Sequence, residues 1–167
     1  LVINKVATLD PAGVGIEMEA NKPGWYDALN GLPGIFGSSV NETMELKRLV
    51  RFILKSTENL ENKITLEFPV ELYDFYQGIN QLIEEWNHDQ NDFKYWDKSA
   101  QLREEYRERV FRGLIGNEKG LRLDSVRDFM KKVDHKLGEA QKRAYQQDTG
   151  LYTTYFSYQG LEYEKIG

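Results

Sequence analysis

Trp25, Asp27 and Asn30 stand within six residues of one another, in the run Gly24-Trp25-Tyr26-Asp27-Ala28-Leu29-Asn30. An indole offers a flat apolar platform, a side-chain amide both donates and accepts at fixed angles, and a carboxyl can accept or deliver a proton. Those are the requirements for holding a pyranose ring by its C–H face, reading pairs of its hydroxyls and protonating a glycosidic oxygen. The neighbouring glycines let the backbone approach a ligand closely. Partial desolvation beside Trp25 and Tyr26 would raise the pKa of Asp27, as a general acid at neutral pH requires. Plainer roles stand beside these. Asp27 can cap a backbone N–H, Trp25 and Tyr26 can anchor the loop to a core, and Asn30 can take a left-handed turn before Gly31. Glu42 has capping-box spacing from Ser39.

Three other groups invite a chemical reading. Glu17 and Glu19 fall on one side of an alternating run and could divide acid and base roles, although a polar strand face explains the same pattern. His88 with Asp89 and Asp92 resembles a metal-ligand cluster only loosely; the spacing matches no standard set, so no metal is expected there. Tyr152, Tyr155, Phe156 and Tyr158 could line a cleft or form an edge strand.

The elements that must position these residues divide near residue 38. Six of the 14 glycines and three of the four prolines precede it. The pattern predicts a strand within Leu1–Leu9, a turn at Asp10-Pro11-Ala12-Gly13 and a short strand through Ile16, Met18 and Ala20. The segment 21–38 is a Gly/Pro-rich loop, too apolar for disorder. Four long amphipathic helices follow. One starts at Ser39 and turns Leu46, Leu49, Val50, Ile53 and Leu54 inward. A second opens at Pro69, with an apolar face running from Leu72 to Trp86. A third spans about Ser99 to Ile115, with Leu102, Tyr106, Val110, Phe111 and Leu114 inward. A fourth opens at Asp124, with Phe129, Met130, Val133, Leu137, Ala140 and Ala144 inward. A strand is expected in the Tyr-rich tail from Leu151 to Tyr163.

Composition narrows the function classes. The chain has 167 residues, a formal net charge of −5 and 29% charged residues, with a mean hydropathy of −0.63. An acidic chain without a basic patch is a poor partner for nucleic acid. It has no apolar run long enough to cross a membrane. It has no cysteine, which excludes disulfides and thiolate metal sites and fits a reducing compartment; the expected location is cytoplasmic.

The run from Gly24 to Asn30, followed by Glu42 at a helix start, resembles the acid loop of the cellobiose and chitobiose phosphorylase family. That family carries Gly-Asp-Trp-Asn-Asp-Gly-(Met/Leu)-Asn, then a Gly-rich stretch and a Glu opening a helix. Trp25, Asp27, Asn30 and Glu42 occupy the matching positions, while Gly24, Tyr26 and Ala28 depart from the pattern. The resemblance implies a mainly α chain that is part of an (α/α)6 barrel of the six-hairpin glycosidases. It implies Asp27 as general acid, with Trp25, Tyr26, Asn30 and Glu42 at the substrate. It also implies an inverting attack on a β-gluco-oligosaccharide by inorganic phosphate as co-substrate, or by water in a hydrolase, without a further cofactor. Six hairpins require more helices than the four long ones here, and the chain opens Leu1-Val2-Ile3 without Met. Residues 1–38 and 39–167 are therefore expected to be parts of one larger catalytic domain, whose partners are the oligosaccharide, the rest of the polypeptide and, in some assemblies, a second copy. The departures motivate the alternatives, a non-catalytic carbohydrate-binding module or a helical interaction domain.

Overall fold

The computed structural model describes residues 1–17 and 37–158, and over these the protein is mainly helical. Five helices are described: α1 (Val2–Val6), α2 (Val40–Thr57), α3 (Val70–Asp89), α4 (Asp92–Val110) and α5 (Leu123–Ala144). Short strands connect them: β1 (Ile16–Glu17), β2 (Gly37–Ser39), β3 (Thr65–Pro69), β4 (Glu118–Arg122), β5 (Tyr145–Gln146), β6 (Leu151–Tyr152) and β7 (Tyr155–Ser157). Helix α2 packs on α5 and α3 on α4, with α3 also touching α5.

Each long helix forms because its apolar residues recur on one face, and those faces meet in one core. Leu46 and Val50 of α2, Phe75, Tyr76, Ile79, Leu82, Ile83 and Trp86 of α3, and Phe129, Val133 and Leu137 of α5 are buried together. Aromatic packing orients this core: Phe75 stacks on Tyr106 with ring centroids 4.7 Å apart, and Tyr76 meets Phe129 edge-on at 5.2 Å. Burying one such side chain contributes roughly 1.5–3 kcal/mol.

The long helices lie close to where their periodicity puts them, and the exceptions have physical causes. Val2 and Val6 are spaced one helical turn apart and both face the core, so Leu1–Leu9 contains the helix α1 in place of the expected strand. Helix α4 begins seven residues before Ser99. Asn91 caps it by accepting from Lys94 N at 2.9 Å, and its buried positions near that end are Asp92, Tyr95 and Ser99. A face of polar and aromatic residues hides the apolar period. At its other end α4 stops at Val110, not Ile115. Gly113 and Gly116 take φ of 103° and 89°, and Ile115 N donates to the buried Glu71 carboxylate at 2.9 Å. That bond holds Glu71 below the usual carboxylate range. Phe111 and Leu114, expected inward, are therefore exposed, Phe111 to 87%.

Strands are not confined to the ends of the chain. β3 and β4 form an antiparallel ribbon with Leu66 opposite Leu121, so Pro69 closes a strand and caps α3 rather than simply opening a helix. β1, β2 and β7 form a second antiparallel sheet in that order, and β5 pairs with β6 in a third; the described part of the Tyr-rich tail holds the two short strands β6 and β7. No helix among the described residues is long and apolar enough to cross a membrane.

Candidate functional site

Ile16 pairs with Ser39 and Glu17 with Ser38. Glu17 and Gly37, which bound the Gly/Pro-rich segment, therefore lie on neighbouring strands. On its other edge β2 pairs with β7, Ser38 opposite Phe156. This three-stranded stalk packs on α2. Trp25, Tyr26, Asp27 and Asn30 lie outside the described residues, as do Met18, Glu19 and Ala20.

Asp10 organises the stalk. The turn foreseen at Asp10–Gly13 is present: Gly13 N donates to Asp10 O at 2.8 Å, and Gly13 has φ of 64°. The fully buried Asp10 carboxylate accepts from Val14 N at 2.9 Å, Gly15 N at 2.7 Å and Ser38 Oγ at 2.5 Å. Charge-assisted bonds of this kind are the strong ones; here they tie the turn before β1 to β2. Gly15 has no room for a side chain, since a Cβ there would lie 2.5 Å from Ser38 Oγ. The Tyr158 hydroxyl lies 3.4 Å from Ser38 Oγ, and burial pushes its pKa up. Thr43 Oγ1 donates to Val14 O at 2.9 Å, joining the turn to α2.

A second buried carboxylate locks this turn to the bundle. Asp92 accepts from Trp86 Nε1 at 2.8 Å and Lys136 Nζ at 2.9 Å, and Arg143 Nη1 donates to its other oxygen. Arg143 Nη2 also donates to Gly13 O at 3.3 Å. Lys136 is fully buried; its ammonium lies 3.8 Å from the Trp86 ring centroid and 4.1 Å from that of Tyr95, a cation–π arrangement. Burial pulls the Lys136 pKa down to about 8, Asp92 holding it up and Arg143 adding to the fall. Burial raises the Tyr95 phenol, whose hydroxyl donates to Val6 O at 3.1 Å. Asp92 is thus not part of a cluster with His88 and Asp89: His88 is exposed, and Asp89 pairs with Lys94 at 2.9 Å. No group of three or more metal-ligating side chains is found among the described residues.

Glu17, the last residue of β1, is held by α4. Trp96 Nε1 donates to Glu17 Oε1 at 2.6 Å, and Arg103 Nη1 lies 3.5 Å from Glu17 Oε2. Glu42 is in the first turn of α2, whose N-cap Ser39 accepts from Glu42 N at 3.4 Å. Its carboxylate does not reach back to complete a capping box; it pairs with Lys5 of α1 at 2.5 Å.

Trp96, Arg103, Lys136 and Arg143 carry no signal in local spacing, because each acts across the fold, and Asp10, legible as a turn residue, meets Ser38 only on folding. Their partners are 28 to 130 residues away for the bonds Ser38–Asp10 and Arg143–Gly13. No protein-family model and no curated protein matches the chain.

Proposed function

We propose that this chain is the acid-loop portion of an inverting carbohydrate-active enzyme with an (α/α)6 barrel, a glycoside phosphorylase acting on β-gluco-oligosaccharides. The observation that carries the reading is the pairing of Glu17 with Ser38. It brings together the two positions that bound the segment bearing Trp25, Asp27 and Asn30, the kind of fixed base on which a catalytic carboxyl is held. The four long helices suit a hairpin layer, and the barrel requires further helices beyond them.

In this reading Trp25 and Tyr26 stack on the sugar and Asn30 reads its hydroxyls. Asp27 gives its proton to the interglycosidic oxygen as the bond to the anomeric carbon breaks. Inorganic phosphate attacks that carbon from the opposite face, releasing the shortened saccharide and a sugar 1-phosphate of inverted configuration. Glu42, in the first turn of α2 and paired with Lys5, supplies a further carboxylate to the sugar hydroxyls. The setting is the cytoplasm, and phosphate is a co-substrate rather than a cofactor. Water in place of phosphate gives the hydrolase reading. A non-catalytic carbohydrate-binding module is motivated by Gly24, Tyr26 and Ala28.

The test uses the complete natural protein, with cello-oligosaccharides and phosphate, and measures sugar 1-phosphate release. Asp27→Asn is expected to lower the rate by 10²-fold or more, on the order of general acid catalysis. Equal rates for the two proteins would remove Asp27 from the mechanism. Reducing-sugar release without phosphate would select the hydrolase, and binding without turnover the module.

A further inference from the structure

The carboxylate of Glu17, at the end of β1, is held by two side chains of α4. Trp96 donates its indole N–H to one oxygen at 2.6 Å, and Arg103 lies 3.5 Å from the other. The Trp96 ring is therefore pinned in orientation, and only part of it is buried. One turn earlier on α4, Phe93 packs against it with ring centroids 5.4 Å apart at 45°, yet Phe93 is 63% exposed. Arg103 is itself fixed between Glu17 and Glu104, 3.5 Å from each. A continuous aromatic surface thus lies beside an oriented carboxylate and a guanidinium. None of this surface is needed for the core, whose nearest members on α4 are Tyr95 and Ser99.

We propose that Phe93 and Trp96, with Glu17 and Arg103, form a carbohydrate subsite that extends the binding surface beyond the loop. The inference rests on the carbohydrate-active reading of the chain. The chemistry favours a neutral saccharide over an anion. Arg103 lies between two carboxylates, Glu17 and Glu104, so the local charge repels an anion, while the remaining lone pairs of Glu17 and the guanidinium of Arg103 suit hydroxyls. Two rings tilted at 45° offer successive faces to successive sugar units. Pyranoses with equatorial hydroxyls, whose C–H groups line both ring faces, fit such a platform; β-1,4-linked glucose units are the simplest case. Trp96 is the oriented stacking surface, Phe93 its solvent-side extension, and Glu17 with Arg103 the hydroxyl-reading pair.

The experiment is calorimetric titration of the complete natural protein with cellotetraose and cellobiose in phosphate-free buffer. The variants are Phe93→Ala, Trp96→Phe and, as a control on a different helix, Phe52→Ala, which removes a ring that is 68% exposed on α2. Phe93 is exposed, so its replacement leaves the core intact. Phe93→Ala is expected to weaken cellotetraose binding by about tenfold, the scale of one aromatic face removed from water. Trp96→Phe, which keeps a ring but releases Glu17, is expected to weaken it by a smaller factor, and Phe52→Ala to leave it unchanged. If the native protein binds cellotetraose and both site variants bind it equally well, the subsite is overturned while the loop reading stands. If the native protein neither binds nor turns over either saccharide, the carbohydrate reading fails and the subsite with it.

Discussion

Among single residues, Asp92 carries the heaviest burden. It is the shared partner of Trp86, Lys136 and Arg143, and it is the only carboxylate bonded to the fully buried Lys136 ammonium among the described residues. Taking an ammonium out of water costs several kcal/mol, which the Coulombic and cation–π contacts must offset. The two ends of this ion pair are therefore not equivalent. Asp92→Asn leaves Lys136 and Arg143 facing one another without an anion, and the expected loss of unfolding free energy is about 3–5 kcal/mol. Lys136→Met fills the same space with an apolar chain, while Asp92 keeps the indole N–H and the guanidinium; its expected cost is about 1–2 kcal/mol, on the scale of a net charged hydrogen bond. Urea unfolding of both variants at neutral pH decides the matter. A Lys136→Met variant that is as damaged as Asp92→Asn would show that the burden is steric and not electrostatic. None of this was legible in the residue types. Asp92 reads in sequence as one of three acid or imidazole groups around a helix end, and Lys136 as one more cation on a charged helix.

At the scale of elements, turns and caps set the geometry that the helices alone do not. Gly13 combines a left-handed φ of 64° with a carboxylate in the way, since a Cβ would lie 2.1 Å from Asp92 Oδ1. Gly13→Ala must therefore pay for backbone strain and displace the buried cluster as well, and a loss of roughly 3 kcal/mol or more is expected in the same unfolding assay. A loss below about 1 kcal/mol would mean that the turn is free to rearrange. Gln90 gives the opposite sign. It ends α3 at φ 52°, a conformation that costs a side-chain-bearing residue about 1 kcal/mol, and its side chain returns only long bonds of 3.3 and 3.4 Å to Trp86 O and Asn87 O. Gln90→Gly is expected to stabilise the protein by a few tenths of a kcal/mol, and destabilisation would show that those side-chain bonds outweigh the strain. The same elements explain what periodicity could reveal. Helices α2, α3 and α5 are long, and their buried residues recur every three to four positions, so their faces can be read directly. α1, at five residues, is too short to display a period. In the β3–β4 ribbon Leu66 and Phe68 alternate with Thr65 and Glu67 over five residues only, and β4 has the single apolar side chain Leu121, so the alternation that marks a strand is too short to stand out.

For the whole molecule, the motif and the scaffold differ in how far apart their parts lie in sequence. The loop reading depends on seven consecutive residues together with Glu42 and could be made from text alone. The base that holds the loop is assembled from pairs such as Ser38–Asp10, Lys136–Asp92 and Trp96–Glu17, separated by 28, 44 and 79 residues, and only folding brings them together. That base makes global stability depend on pH in a specific way. Lys136 titrates near pH 8 in the fold against an ordinary value of 10.5. Below pH 8 both the folded and unfolded chains carry this proton, and the fold bears the full cost of the buried charge. Between pH 8 and 10.5 the folded chain releases the proton and the unfolded chain retains it. The unfolded state then binds more protons, so stability rises with pH. Tyr95 and Tyr158 act in the contrary sense. Burial raises both phenols above the ordinary value of 10.0, so near and above pH 10 the unfolded chain loses phenolic protons that the fold keeps, and stability falls. The denaturation midpoint is expected to climb from pH 7.5 to about 9.5 and then to decline. In Lys136→Met the climb should disappear and the decline persist; in Tyr95→Phe the climb should persist and the decline soften. A climb that survives in Lys136→Met would locate the titrating group elsewhere in the bundle and break the link between Lys136 burial and the stability of the stalk.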